Sequence, residues 1–299
     1  MDTLVNGPRA DAAPRAGTAA PRPHWSDVVR EQLRAVAGGA RPEMTSGAAL
    51  LVLLPLPMLV EHARTPGHGA DMHFAMVALL CVLVGLFAPM AVWKGEGPAR
   101  RGYFWCLPVD RSRHALVKVA AGWGWTMAAV GVLLLWGALL AWMMGGEMTL
   151  GDTRVPLRPY SDVPSPTPAD FYVHRWPMEA WLWMAPFAAA TAAYLVGSAV
   201  ALSTEHPWRW YAGFVLCWAL LGVAGLREEL ATLVNGRYGW GVMVTAGEWQ
   251  LAALRTPAGA TVFAGRFVPD PARWSAAMAL WMAIALGAVV FAARRHQER

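Results

Sequence analysis

Charge is scarce in this chain of 299 residues. Asp, Glu, Lys and Arg make up 15% of it, where a soluble domain carries about a quarter. That deficit excludes an ordinary water-soluble globule. Lysine is nearly missing: of 25 basic residues only Lys94 and Lys118 are lysines, a bias read as genome composition. Cysteine is limited to Cys81, Cys106 and Cys217, far apart and without a CxxC pair, so neither a disulfide framework nor a zinc ribbon is indicated.

Catalytic signatures are missing as well. No HExxH or GxSxG occurs, and no pair of aspartates lies within the apolar runs. A phosphate-cradling Walker loop ends in Gly-Lys so that the lysine reaches the phosphates. Lys94 follows Trp93 and Lys118 follows Val117, so the chain does not hydrolyse ATP by that route. The eight histidines fall at the ends of apolar runs, in loops or in the tail, not inside a bundle where haem would need its axial ligands. His62, His68 and His73 come near Glu61 and Asp71, but their spacing fits no metal site and they read as solvated loop residues. No cofactor and no metal are expected in this chain.

Apolar residues are in excess, at 56%, with a mean hydropathy of +0.35. They gather into six runs, at about 45–60, 72–93, 119–144, 179–202, 208–226 and 274–293. Each is near the ~20 residues that cross a bilayer; the first is the shortest and holds Pro55 and Pro57. The expected fold class is all-α, a polytopic membrane protein with six transmembrane helices. The interiors of these runs hold no Asp, Glu, Lys, Arg or His. Ion-coupled carriers place ionisable groups near mid-membrane. Their absence argues against a self-sufficient carrier, so the energy for any transport has to arrive at the cytoplasmic face.

The net charge of +5 and pI near 9.4 raise the question of nucleic acid. The arrangement of the charge answers against it. Basic residues gather before the first run (Arg9, Arg15, Arg22, Arg30, Arg34, Arg41), between the second and third (Lys94, Arg100, Arg101, Arg111, Arg113, Lys118), at Arg209, and in the tail (Arg294, Arg295, Arg299). The intervening loops carry the acids, among them Glu147, Asp152, Asp162, Glu228 and Asp270. By the positive-inside rule both termini are cytoplasmic.

Residues 1–23, rich in Ala, Pro, Arg and Gly, read as a disordered cytoplasmic tail. Residues 24–40 read as an amphipathic interfacial helix. Trp25, Val28, Val29, Leu33 and Val36 share a face, Ser26 is the candidate N-cap, and Gly38-Gly39 is the stop. Residues 41–299 form the six-span domain. Its outer loop at 145–177 is studded with prolines and should be extended. The outer loop at 227–273 is expected to hold short helices at 228–234 and, from a Thr245–Glu248 capping box, at 245–255. Trp93, Trp142, Trp176, Trp181, Trp208, Trp210 and Trp274 sit at span ends, as an aromatic belt requires. Trp136, Trp218 and Trp281 fall nearer mid-span, as candidates either for lining a route for an apolar or lipid-like substrate or for packing between helices.

The basic loop at 94–118 has internal structure. Gly95, Gly97 and Pro98 break the preceding span. Tyr103, Phe104, Trp105 and Leu107 form an apolar cluster that Pro108 ends, and Asp110 or Ser112 caps the helix leading into the next span. This describes a short amphipathic helix at the membrane surface, anchored by Tyr103, Phe104 and Trp105, as Trp25 would anchor the N-terminal helix. The plainer alternative is a positive-inside loop with interfacial aromatics.

Glu96, Leu107-Pro108-Val109, Arg111 and Lys118 resemble the segment after the second span in permeases of the type-2 ATP-binding-cassette exporter family. The chain departs from that family in having Pro98-Ala99-Arg100-Arg101 where small hydroxyl residues are common. The resemblance implies a coupling helix that docks on a separate ATPase subunit, with the N-terminal helix beside it. Glu96, Arg100, Arg101, Arg111, Lys118, Arg30 and Arg34 would then form the ATPase interface. It also implies a dimer with a second permease copy, identical or not, in the cytoplasmic (inner) membrane, with ATP and Mg held by the partner ATPase. Two other classes stay open: a non-transporting scaffold or assembly factor that docks a cytoplasmic partner through 94–118, and a membrane enzyme with its site in the outer loops.

Overall fold

The computed structural model describes residues 25–53, 72–94, 111–150, 152–156, 171–175, 178–204, 206–223, 239–255, 259 and 261–298, with 56, 59, 60 and 63 besides. In chain order the elements are α1 (Trp25–Leu53), β1 (Met72–His73), α2 (Phe74–Trp93), α3 (Arg111–Met143), β2 (Met148–Thr149), β3 (Asp152–Pro156), β4 (Phe171–Arg175), a 3₁₀ turn (Ala180–Met184), α4 (Ala185–Ser203), α5 (Pro207–Val223), α6 (Trp240–Thr245), β5 (Gly247–Arg255), β6 (Thr261–Pro269) and α7 (Pro271–Glu298).

Among the described residues, four helical stretches are long and apolar enough to cross a membrane: Phe74–Trp93, Arg113–Met143, Ala180–Ser203 and Pro271–Arg295. This is the character of a membrane-embedded protein. Their outward sides carry large apolar side chains, such as Leu79, Leu83, Leu135, Trp142, Ile284 and Phe291. So much exposed apolar surface does not occur on a soluble monomer.

The bundle is built around α4. Over its most apolar window α4 is 61% buried, against 33–39% for the other three. Its sequence explains why. Ala185, Ala189, Ala190, Ala192, Ala193, Gly197, Ser198 and Ala199 are small on nearly every side, so neighbouring backbones come close, which is how helices associate where lipid removes the hydrophobic drive. Two reciprocal contacts fix α2 on α4. A Cβ on Gly85 would collide with the Ala190 carbonyl, and one on Gly197 would collide with the Leu86 carbonyl. On the other side Leu195, Ala199 and Leu202 of α4 pack with Ala285, Val289 and Ala292 of α7.

α3 and α7 complete the ends. At one end Ala115 and Val119 of α3 join the cluster formed with α7. At the other, Phe74 meets Trp183 edge-on with centroids 6.0 Å apart, Trp181 lies 5.5 Å from Trp274, and the Trp274 indole donates to the Met243 carbonyl at 3.2 Å. We call these the basic end and the aromatic end. At the basic end lie Lys94, Arg113, Lys118, Arg294 and Arg295; Glu147, Glu179 and Asp270 belong to the aromatic end, with Arg273.

The chain is not purely α. At the aromatic end three two-stranded pairs form: β1 with β2 in parallel, β3 with β4 antiparallel, and β5 with β6 antiparallel. The extended β3–β4 pair agrees with the proline-rich reading of that loop. The helix expected from Thr245 to Arg255 is corrected to strand β5. Ala246, at φ 60°, ends α6 in the left-handed region, so Thr245 is spent as a last helical residue and cannot be an N-cap. Thr261, Val262, Phe263, Phe267 and Val268 then supply a partner strand of good β-formers. The expected helix at 228–234 lies outside the described residues.

A second correction concerns α1. Gly38-Gly39 does not stop it, and the helix runs on through Pro42 to Leu53, past the expected boundary at residue 40. Glycine in a helix costs only ~1 kcal/mol, and packing outweighs it: Val36 is buried against Val92 of α2 and Ala121 of α3. The hydroxyls of Thr45 and Ser46 donate to the Pro42 carbonyl at 2.9 and 2.8 Å.

Candidate functional site

The basic end is where the singled-out segment leaves the bundle. α2 delivers Trp93 and Lys94, and α3 begins at Arg111. Glu96, Arg100, Arg101, Tyr103, Phe104 and Trp105 lie between them, outside the described residues; of Arg111 only the backbone is described. The bundle therefore shows the roots of the segment and how they are held.

Three contacts hold the roots. α1 lies against both flanking helices: Leu33 and Val36 pack with Val92, Trp93 and Ala121. The Trp125 indole N–H donates to the Leu33 carbonyl at 3.0 Å, tying α3 to the middle of α1. α4 supplies the third hold. Its Tyr194, 0% exposed, donates its O–H to the Val119 carbonyl at 2.9 Å. Room for that ring exists because residue 122 is glycine. A Cβ there would collide with the Tyr194 hydroxyl and stand 2.8 Å from Val92 Cγ2. Gly122 is thus the meeting point of α2, α3 and α4.

Lys118 was singled out as an interface charge, but only 8% of it is exposed. Its Nζ lies 4.5 Å from the centroid of the Trp93 ring, a cation–π contact that joins the last turn of α2 to the second turn of α3. It therefore braces the base of the segment and does not offer a free charge. Arg30 and Arg34 sit on the exposed side of α1, Arg30 paired with Asp27 at 2.9 Å and Arg34 with Glu31 at 3.6 Å. Exposed pairs of this spacing contribute a few tenths of a kcal/mol, so both arginines stay available to a stronger acidic partner. Trp25 is the first residue of α1. Arg295 of α7 is at the basic end, its guanidinium 4.8 Å from the Phe291 ring.

Of the three mid-span tryptophans, Trp136 and Trp281 have described side chains. Trp281 packs as a helix contact against the cluster of Val82, Ala189, Ala193, Met243 and Met278. Trp136 is half-buried on α3. The side chain of Trp218 lies outside what is described. Trp123 makes a contact that hydropathy did not signal: its indole donates to Thr191 Oγ1 at 3.0 Å, and Thr191 donates to the Phe187 carbonyl at 2.8 Å. Tyr194 and Gly122 were missed for the same reason. Each is unremarkable in an apolar run, and only the neighbouring helix shows its use.

Comparison with protein families, with curated proteins and with solved structures finds no match for this chain.

Proposed function

We propose that the chain is the membrane-spanning permease subunit of a type-2 ATP-binding-cassette exporter, moving an apolar or lipid-like substrate with ATP hydrolysed, with Mg, on a separate ATPase. It would work in the cytoplasmic membrane as a dimer of permease copies, with six spans, both termini cytoplasmic, and the start of α1 at the interface. The observation that supports this reading most is that α1 grips both helices flanking the basic segment, through Val36 against Val92 and Ala121 and through the Trp125–Leu33 hydrogen bond. Force applied to either α1 or the segment would then reach α2 and α3 together, and Tyr194 would pass it to the central helix α4. The interiors of the six apolar runs carry no charged side chain to couple an ion gradient.

The test is to isolate the protein from its native membrane under mild conditions and identify what accompanies it. An ATP-binding-cassette ATPase in the complex, with ATP hydrolysis that the rigorously purified chain alone lacks, is the expected result. A non-ATPase partner would instead favour the scaffold reading.

A further inference from the structure

The β5–β6 hairpin is the largest feature that the coupling account leaves unused. At about 3.3 Å per residue its nine-residue strands reach about 30 Å. Its register pairs Trp249 with Phe267, Leu251 with Gly265 and Ala253 with Phe263. Residues paired across an antiparallel ladder share a face, and the faces alternate along each strand. One face therefore collects Trp249, Leu251, Ala253, Phe263 and Phe267, with Arg255 its only charged position, paired with Thr261 next to the turn. The other face collects Glu248–Val268, Gln250–Arg266, Ala252–Ala264 and Leu254–Val262; it holds two of the hairpin's three charged positions, whereas all three aromatics, Trp249, Phe263 and Phe267, fall on the first face. Two side chains of this first face, Leu251 at 77% and Phe263 at 69%, are largely exposed.

The hairpin is attached at the level where the bundle leaves the membrane. A single residue, Asp270, separates β6 from α7, the last membrane-crossing helix. Its base is clamped there, with the Asp270 N–H donating to the Ala246 carbonyl at 3.2 Å and Ala246 fully buried. Trp274, one turn into α7, lies against Trp181 with the rings tilted by 54°, and such rings mark the headgroup level of a bilayer.

We propose that this hairpin lies on the bilayer surface at the aromatic end, with the Trp249–Phe263–Phe267 face against the lipid and the Glu248–Arg266 face to water. A two-stranded hairpin has unpaired backbone edges, which hydrocarbon does not tolerate, so it rests among the headgroups without entering the core. The inference needs only a membrane-embedded chain and does not depend on the exporter reading.

The experiment uses the full chain in phosphatidylcholine–phosphatidylglycerol vesicles. Cys106 and Cys217 are replaced by alanine, and the fully buried Cys81 stays in place. Spin labels go on Leu251→Cys and Phe263→Cys, and, for the other face, on Gln250→Cys and Ala264→Cys. The expected ratio of oxygen to water-soluble nickel-chelate accessibility is several-fold higher at 251 and 263 than at 250 and 264. In the unaltered chain, a lipid carrying a photoactivatable group near its headgroup should label 249–253 and 261–267. Equal nickel access at all four positions means that the hairpin stands in water and overturns the proposal. Shielding of 251 and 263 from both reagents, or no lipid adduct in the hairpin, overturns it too, since protein would then cover that face.

Discussion

The hydroxyl of Tyr194 donates to the backbone carbonyl of Val119 at 2.9 Å, from a ring with no exposed surface. The bond joins the central helix to the root of the basic segment, and Gly122 leaves the space for it. Replacing Tyr194 by Phe should cost ~0.5–1.5 kcal/mol, the worth of one hydrogen bond, with the measured average between membrane helices near the low end. Gly122→Ala should cost more, ~1–3 kcal/mol, because the added methyl overpacks the joint. Combined with Tyr194→Phe it should cost less than the sum, since the atom it strikes is gone, though Val92 still opposes it. Unfolding of the four proteins in one detergent checks the order and the coupling.

The α2–α4 contact predicts a contrast among glycines. Gly85→Leu and Gly197→Leu place side chains where the Ala190 and Leu86 carbonyls stand, and each should lower the unfolding midpoint sharply or abolish insertion. Gly287→Ala has open space around it and should be neutral, or mildly stabilising through helix propensity. Equal effects at all three positions would mean that α2 and α4 do not pack through these residues.

Lys118 and Trp93 should be coupled. A double-mutant cycle with Lys118→Met and Trp93→Leu should give an interaction of ~0.5–2 kcal/mol, the range for a cation–π contact from exposed to desolvated. A coupling of zero would remove Lys118 from the base of the segment.

Much of this architecture is readable in the residues themselves, and the rest is not for identifiable reasons. The run at 72–93 becomes a helix from Phe74 to Trp93, and that at 274–293 lies within α7, because twenty apolar residues in a row permit little else. The basic turn before Val119 belongs to α3, which starts at Arg111; Ser112 therefore lies inside the helix and is not its N-cap, and Asp110 lies outside the described residues. The Thr245–Glu248 pattern misled because a capping box is a local signal, whereas the hairpin depends on a partner strand that starts at Thr261. Gly38-Gly39 misled because Val36 gains its burial from α2 and α3. The joint at Gly122 is invisible to periodicity, since it depends on which residue of another helix faces it.

Charge placement predicts topology. Lys94, Arg113, Arg294 and Arg295 share the basic end of the bundle, and such residues stay on the cytoplasmic side. Cysteine introduced at Arg100 should be labelled by an impermeant reagent only from the inside, and cysteine at Asp162 only from the outside. Labelling of position 100 from the outside would invert the arrangement.

The central claim is that the 94–118 segment couples this chain to a cytoplasmic ATPase. It is tested most directly by reversing charge at Glu96 and Arg111 together, with reversal at Arg154 and Arg158 of the outer loop as control, and measuring ATPase association and coupled transport in reconstituted membranes. Truncating a buried interfacial charge costs ~2–5 kcal/mol, because its partner is left unpaired, and a rim charge costs far less. The account predicts that the Glu96 and Arg111 reversals weaken association or uncouple hydrolysis from transport, with membrane insertion intact, while the control changes neither. Unchanged ATPase binding and unchanged coupled transport in the Glu96/Arg111 variant would contradict it and leave the segment as a topological signal alone.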